Sequence, residues 1–166
     1  MTPGDDEADA RKSHERRDRR HRAREAALQM LYQWEVGRTG IEEVLRTYWS
    51  IERPGEGPLA APLEAFASKL AAGTVEHLAE IDPLVSAHAE HWRLSRMAIV
   101  DRLILRLAVY QFLYLRDIPR KVVINEALEL ARTFSSDDAV KFVNGILDGI
   151  RRDLDTGTAG DDAPTA

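Results

Sequence analysis

The sequence contains no cysteine among its 166 residues. That excludes disulfides, thiolate metal sites, iron–sulfur clusters and a cysteine nucleophile together. Long apolar runs are missing too. The longest uncharged apolar stretch is Leu107–Leu115, nine residues, and a membrane helix needs about twenty. The first twenty-five residues are charged throughout and contain no apolar core of a signal peptide. A cytoplasmic location is expected. Gly-rich phosphate loops, nucleophile elbows and loop-borne carboxylate pairs are all lacking. His77, His88 and His91 are spaced too loosely to read as a metal site. Neither cofactor nor catalysis is expected. Glu126 and Glu129 read as a solvated face or as partners of nearby arginines.

What is present is charge, unevenly placed. Residues 1–10 carry Asp5, Asp6, Glu7 and Asp9 with no basic residue. Residues 11–25 carry eight Lys/Arg against Glu15, Asp18 and Glu25. The remainder is mildly acidic, and the whole chain is −5. A basic block on an acidic body points to a local polyanion contact. Arg16, Arg17, Arg19, Arg20, Arg22 and Arg24 make up its arginines from residue 16 onward. Their planar donor forks suit phosphate and can stack on bases. As a flexible arm running into a helix, the block can track a nucleic-acid backbone; a merely solvated tail is the other reading.

Strand signals are weak and helical periodicity is strong. Ala23, Ala27, Met30, Leu31 and Trp34 form one stripe. Ile41, Val44, Leu45, Tyr48 and Trp49 form a second. Residues 52–62, with three prolines and two glycines, read as a linker. Leu63, Phe66, Leu70, Thr74, Leu78 and Ile81 form a third stripe, after which Asp82–Pro83 is expected to open a short helix. Ser95 reads as the N-cap of a long helix reaching Arg116, apolar on nearly every face and therefore central. Asp117-Ile118-Pro119 ends it. Another helix follows over 120–134, and Ser135-Ser136-Asp137 caps a last one ending near Leu154. The prediction is all-α, with about seven helices and no sheet. Residues 1–15 and 155–166 are expected to be disordered tails flanking one helical domain over 16–154.

Two faces stand out. In the last helix Phe142 lies at the edge of the apolar stripe, with Asp138, Lys141 and Gly145 beside it. A ring, an acceptor and an ammonium suit a single-stranded base and its phosphate; a peripheral core ring is the alternative. In the first helix Leu28, Tyr32 and Val36 lie opposite the main stripe. In the long helix Asp101 shares a face with Leu105, Ala108 and Phe112. Such a carboxylate is paired either inside the fold or across an interface.

The stretch beginning at Val122, VVINEALELARTFSSDDAVKFVNGILDGI, resembles the C-terminal signature of the NusB family of bacterial transcription antitermination factors. REAALQMLYQWEVG (24–37) and DRLILRLAVYQFLYLRDIP (101–119) match that family in order and spacing, and the resemblance covers about residues 16–152. It implies two packed three-helix bundles, here about 20–91 and about 95–154. It also implies binding of boxA RNA in ribosomal RNA leader transcripts. The implied partners are NusE, a small-subunit ribosomal protein, and the RNA polymerase antitermination complex with other Nus factors. A homodimer is left open. The implied RNA contacts are Arg16, Arg17, Arg19, Arg20, Arg22, Arg24, Asp137, Asp138, Lys141 and Phe142, and the implied NusE face lies near Tyr32 and Asp101. Two rivals differ in class. One is a protein-interaction module whose arginines only solubilise. The other is a detached NusB-like domain of a ribosomal RNA methyltransferase, which the end of the chain at Ala166 argues against.

Overall fold

The computed structural model describes residues 3–51, 57–90 and 93–157. Seven α-helices and one 3₁₀ turn account for the regular structure of those residues, as the periodicity predicts. They are α1 (Pro3–Gly37), α2 (Ile41–Tyr48), α3 (Ala61–Glu76), α4 (Leu78–His88), the 3₁₀ turn Leu94–Arg96, α5 (Ile99–Tyr114), α6 (Arg120–Phe134) and α7 (Asp137–Thr156). Two three-helix bundles pack together. Helices α1, α2 and α3 form one, and α5, α6 and α7 the other. Helix α4, which the sequence reading places with the first bundle, packs on α5 and α7.

The apolar stripes explain the arrangement. Ala23, Ala27, Met30 and Leu31 are fully buried on α1. Helix α5 is the central element: Arg102–Leu105 and Leu107–Leu113 are all buried. Each fully buried aliphatic side chain there contributes about 1.5–3 kcal/mol relative to exposure. Gly73 lets α3 approach α5, because a Cβ at that position would overlap the ring of Tyr110. Polar ties fix the helices further. Arg102 donates to Glu35 at 2.5 Å and to the Leu94 carbonyl at 2.9 Å. Arg106 holds both carboxylate oxygens of Asp82, at 2.8 and 3.0 Å. His88 Nε2 lies 2.7 Å from Asp153 Oδ2 and joins α4 to α7.

Several boundaries differ from the sequence reading. Helix α1 does not begin near residue 16 but continues outward to Pro3, through residues expected to be a disordered tail. Asp5 and Asp6 lie in its first turn, where negative charge complements the helix dipole. Strong helix formers follow, and His14 and Asp18 pair one turn apart at 3.5 Å. At the other end, Asp155 and Thr156 are helical and Gly157, at φ 74°, closes α7; residues 158–166 of the second expected tail lie outside the described residues. Pro83 sits inside α4 rather than at its start, since α4 already begins just after the bend at His77. Ser95 belongs to the 3₁₀ turn, and Ala98 is the N-cap of α5. The extended backbone at Met97 separates the two. Helix α5 also ends at Tyr114, short of Arg116. Ser136 caps α7 as predicted, accepting from the Ala139 N–H at 3.1 Å. His91 and residues 52–56 of the expected linker lie outside the described residues.

Candidate nucleic-acid interface

The arginine block is a helical rod rather than a flexible arm. Side chains over 4–20 are exposed, so Arg16, Arg17, Arg19 and Arg20 face solvent. Arg20 also spreads over the Phe66 ring at 5.3 Å. Arg22 is half-buried and donates to the Gly57 carbonyl at 2.5 Å. Arg24 departs from its expected role as an RNA contact. It is 2 % exposed, donates to Gln111 Oε1 at 3.0 Å and lies 5.5 Å from the Phe66 ring centre. Its position one turn before Leu28 puts it on the inward face of α1. Burial lowers its pKa by penalising the charged form. Between arm and body stands His21, which bridges Glu126 at 2.5 Å and Glu25 at 3.0 Å. The hydrogen bond that the imidazole donates to Glu126 raises its pKa, with both carboxylates adding to the effect and burial opposing it.

Asp137 and Asp138 occupy the first turn of α7, just after the Ser136 cap, and both are exposed. Lys141 is exposed one turn on. Phe142 is half-buried and packs against the core, while still lining a groove of about 300 Å³. Asp138, Asp101, Met97, Ala98 and Arg96 line the same groove. The structure thus brings Asp101, read as a partner residue, to the site of Asp138 and Phe142. Asp101 is half-exposed and accepts a hydrogen bond from the Ser135 hydroxyl at 2.7 Å; its bond is inside the fold while the groove still reaches it. The chemistry matches a base. A ring offers a stacking face, carboxylates accept from exocyclic amines, and Arg96 and Lys141 supply cations nearby. Sequence reasoning missed Arg96. It lies in the segment that reads as the start of the long helix and forms a separate 3₁₀ turn instead. Among the described residues no contact joins the arm to this groove.

A second surface adjoins the groove. Tyr32 is 44 % exposed and Val36 49 % on α1, and Phe134 is 38 % exposed on α6. Tyr32, Val100 and Phe134 line a mainly apolar recess of about 390 Å³ with Leu28 and two glutamines. Leu28, expected on the exposed face with Tyr32 and Val36, is 4 % exposed and forms part of the recess wall. Recess and groove meet at the first turn of α5, where Val100 and Asp101 are consecutive. Exposed apolar clusters of this kind mark protein-docking surfaces.

Comparison with known proteins agrees with this fold. The family model "NusB family" matches residues 21–152. The transcription antitermination protein NusB of Solibacter usitatus is 47 % identical over 135 residues, covering 81 % of this chain and 90 % of that protein. That of Bacillus subtilis is 40 % identical over 137 residues, covering 82 % and 98 %. The solved structure of NusB from T. maritima superposes with a TM-score of 0.71 at 35 % identity, covering 87 % of this chain and 93 % of that one. A crystal structure of the antitermination factors NusB and NusE in complex with dsRNA superposes at 0.69 and 26 % identity, covering 81 % and 97 %. On the matched span, the identity to curated relatives and the shared fold, this chain belongs to the NusB family.

Proposed function

We propose that this chain is a transcription antitermination factor that binds boxA RNA of ribosomal RNA leader transcripts jointly with NusE. It would act in the cytoplasm within the RNA polymerase antitermination complex, alongside other Nus factors. The observation that carries the reading is the adjacency of the Phe142 groove and the Tyr32 recess, in a chain whose relative crystallised with both NusE and dsRNA. Two ligands binding side by side across the first turn of α5 is what joint recognition requires.

In this reading the residues divide by task. Phe142 stacks on a base, and Asp137 and Asp138 accept from base amines. Lys141 meets a phosphate. Arg16, Arg17, Arg19, Arg20 and Arg22 follow the backbone along the α1 rod. Tyr32, with Val36 and Phe134 around it, receives NusE, and Asp101 lies at the seam between protein and RNA. Binding of single-stranded RNA through stacking and phosphate neutralisation is strongly salt-dependent.

The test is a mobility shift with boxA RNA and a scrambled RNA, with and without NusE, at two salt concentrations. The expected result is preferential boxA binding, strengthened by NusE. Capture of NusE with no RNA shift at any salt would reduce the protein to an interaction module.

A further inference from the structure

At the end of the second bundle opposite the Phe142 groove, the chain forms a basic cleft of about 410 Å³. Arg116, Arg120, Lys121 and Arg151 line it, with Asp155 as the one carboxylate in its wall. The body of the protein over residues 26–154 is net acidic, with 15 basic and 18 acidic side chains, so four cations in one cleft run against the composition. Asp155 accepts from Arg120 at 2.5 Å and from Arg151 at 3.0 Å, which fixes two forks without neutralising both. Arg151 is also held by Asp148 at 2.8 Å. Arg116 and Lys121 are exposed and have no carboxylate partner among the described residues. Even counting the flanking Asp117, Asp148 and Arg152, the site stays positive. Helix α6 begins there after Pro119, with no side-chain cap and no acidic residue in its first turn, so its dipole adds to the field.

We propose that this cleft is a second phosphate site for RNA, holding the backbone of a strand that continues past the segment read at Phe142. The proposal rests on the RNA-binding reading above and extends its footprint. Arginine forks held in place by a carboxylate suit a phosphodiester, which needs planar paired donors. Reach is adequate. Phe142 and Arg151 are nine residues apart on α7, about 14 Å along the axis. About four nucleotides span that distance at about 3.4 Å each. Gly145, whose Cβ would meet open space, lies between them on the exposed side of α7.

The experiment compares the full chain with its Arg116→Gln/Lys121→Gln double variant, both exposed positions outside the groove. Three RNAs are titrated by fluorescence anisotropy: boxA alone, and boxA extended by about six nucleotides at either end. One extension should tighten binding to the wild type. That gain should shrink roughly sevenfold between 50 and 200 mM salt, the effect of about two single-strand phosphate contacts. The double variant should lose the gain and bind boxA alone as the wild type does. If boxA alone binds and neither extension adds affinity, or the variant keeps the gain, the cleft is not an RNA site. If boxA alone fails to bind, the antitermination reading falls. The cleft is then judged with labelled protein and a single-stranded RNA lacking boxA. Amide shifts at Arg120 and Lys121 support it, and unmoved amides, or equal displacement by an acidic peptide, overturn it.

Discussion

Replacing Phe142 by leucine separates base stacking from core packing, the two roles its position allows. The ring is half-buried against the core and half-open to the groove shared with Asp138 and Asp101. Complete truncation of a buried phenylalanine costs about 3–5 kcal/mol. Leucine keeps most of the inward contact, so the stability cost should be about 1–1.5 kcal/mol. For a domain of this size that is about 2–6 °C in Tm. The stacking loss is separate and worth about 1–3 kcal/mol per base, a five- to roughly hundredfold fall in RNA affinity. The salt slope should not change, because no charge is removed. Phe142→Trp should restore most of the affinity, since it restores a π face. Affinities would be read by anisotropy with boxA RNA at two salt concentrations, and Tm by circular dichroism. A leucine variant that binds RNA like the wild type while melting lower would make the ring a core residue and move base reading elsewhere.

Deleting residues 4–19 should weaken RNA binding and flatten its salt dependence by about 0.7 log units per lost phosphate contact; Tm should hold, because these side chains are exposed throughout. Tyr32→Asp should abolish NusE capture in a pull-down while Tm stays within a few degrees, the side chain being 44 % exposed; a collapse of the fold would place Tyr32 in the core. Asp138→Asn should tighten RNA binding overall and loosen preference at one base, read by titrating boxA RNA variants, because it removes a negative charge and adds a donor. The His21 pKa is raised in the folded state, first by the hydrogen bond to Glu126, so its contribution is complete below the unfolded value near 6.5 and is lost as pH rises through the folded value. The Tm advantage of wild type over His21→Gln should therefore be larger at about pH 6 than at about pH 9, and an advantage that grows with pH would refute the bridge.

The elements of this fold are legible where burial is one-sided. The stripe Ala23, Ala27, Met30, Leu31 announces α1, and the all-round apolar α5 announces its central place. Boundaries are less legible where competing local signals exist. Ser95 looks like a cap, yet Arg102 reaches back to the Leu94 carbonyl and stabilises a separate 3₁₀ turn there. Asp82–Pro83 looks like a helix start, yet the bend at His77 has already begun α4, where Asp82 is needed inside the helix to hold Arg106. The helical course of residues 4–15 escapes any hydrophobic pattern, because that segment buries nothing. Its helix rests on propensity, the dipole and local contacts such as His14 with Asp18.

The site follows the same physics with one further difficulty, which is that periodicity assigns a face but not what packs against it. Phe142 and Tyr32 emerge at stripe edges, as expected of residues that are half-core or opposite the core. Arg24 cannot be sorted this way. A run of arginines reads as uniform charge, and only the inward turn of α1 against Gln111 and Phe66 takes one member out of solvent. Asp101 is a different case. Its apolar helix face leaves a partner inside the fold and one across an interface both open, and its neighbour is set by the tight link from α6 to α7, which carries Ser135 to within 2.7 Å. That link also brings Asp138 and Phe142 to the groove that Asp101 lines. A groove assembled from α5, the 3₁₀ turn and α7 is a tertiary fact. Each residue signals its chemistry in the sequence, and only the packing of the second bundle makes them neighbours.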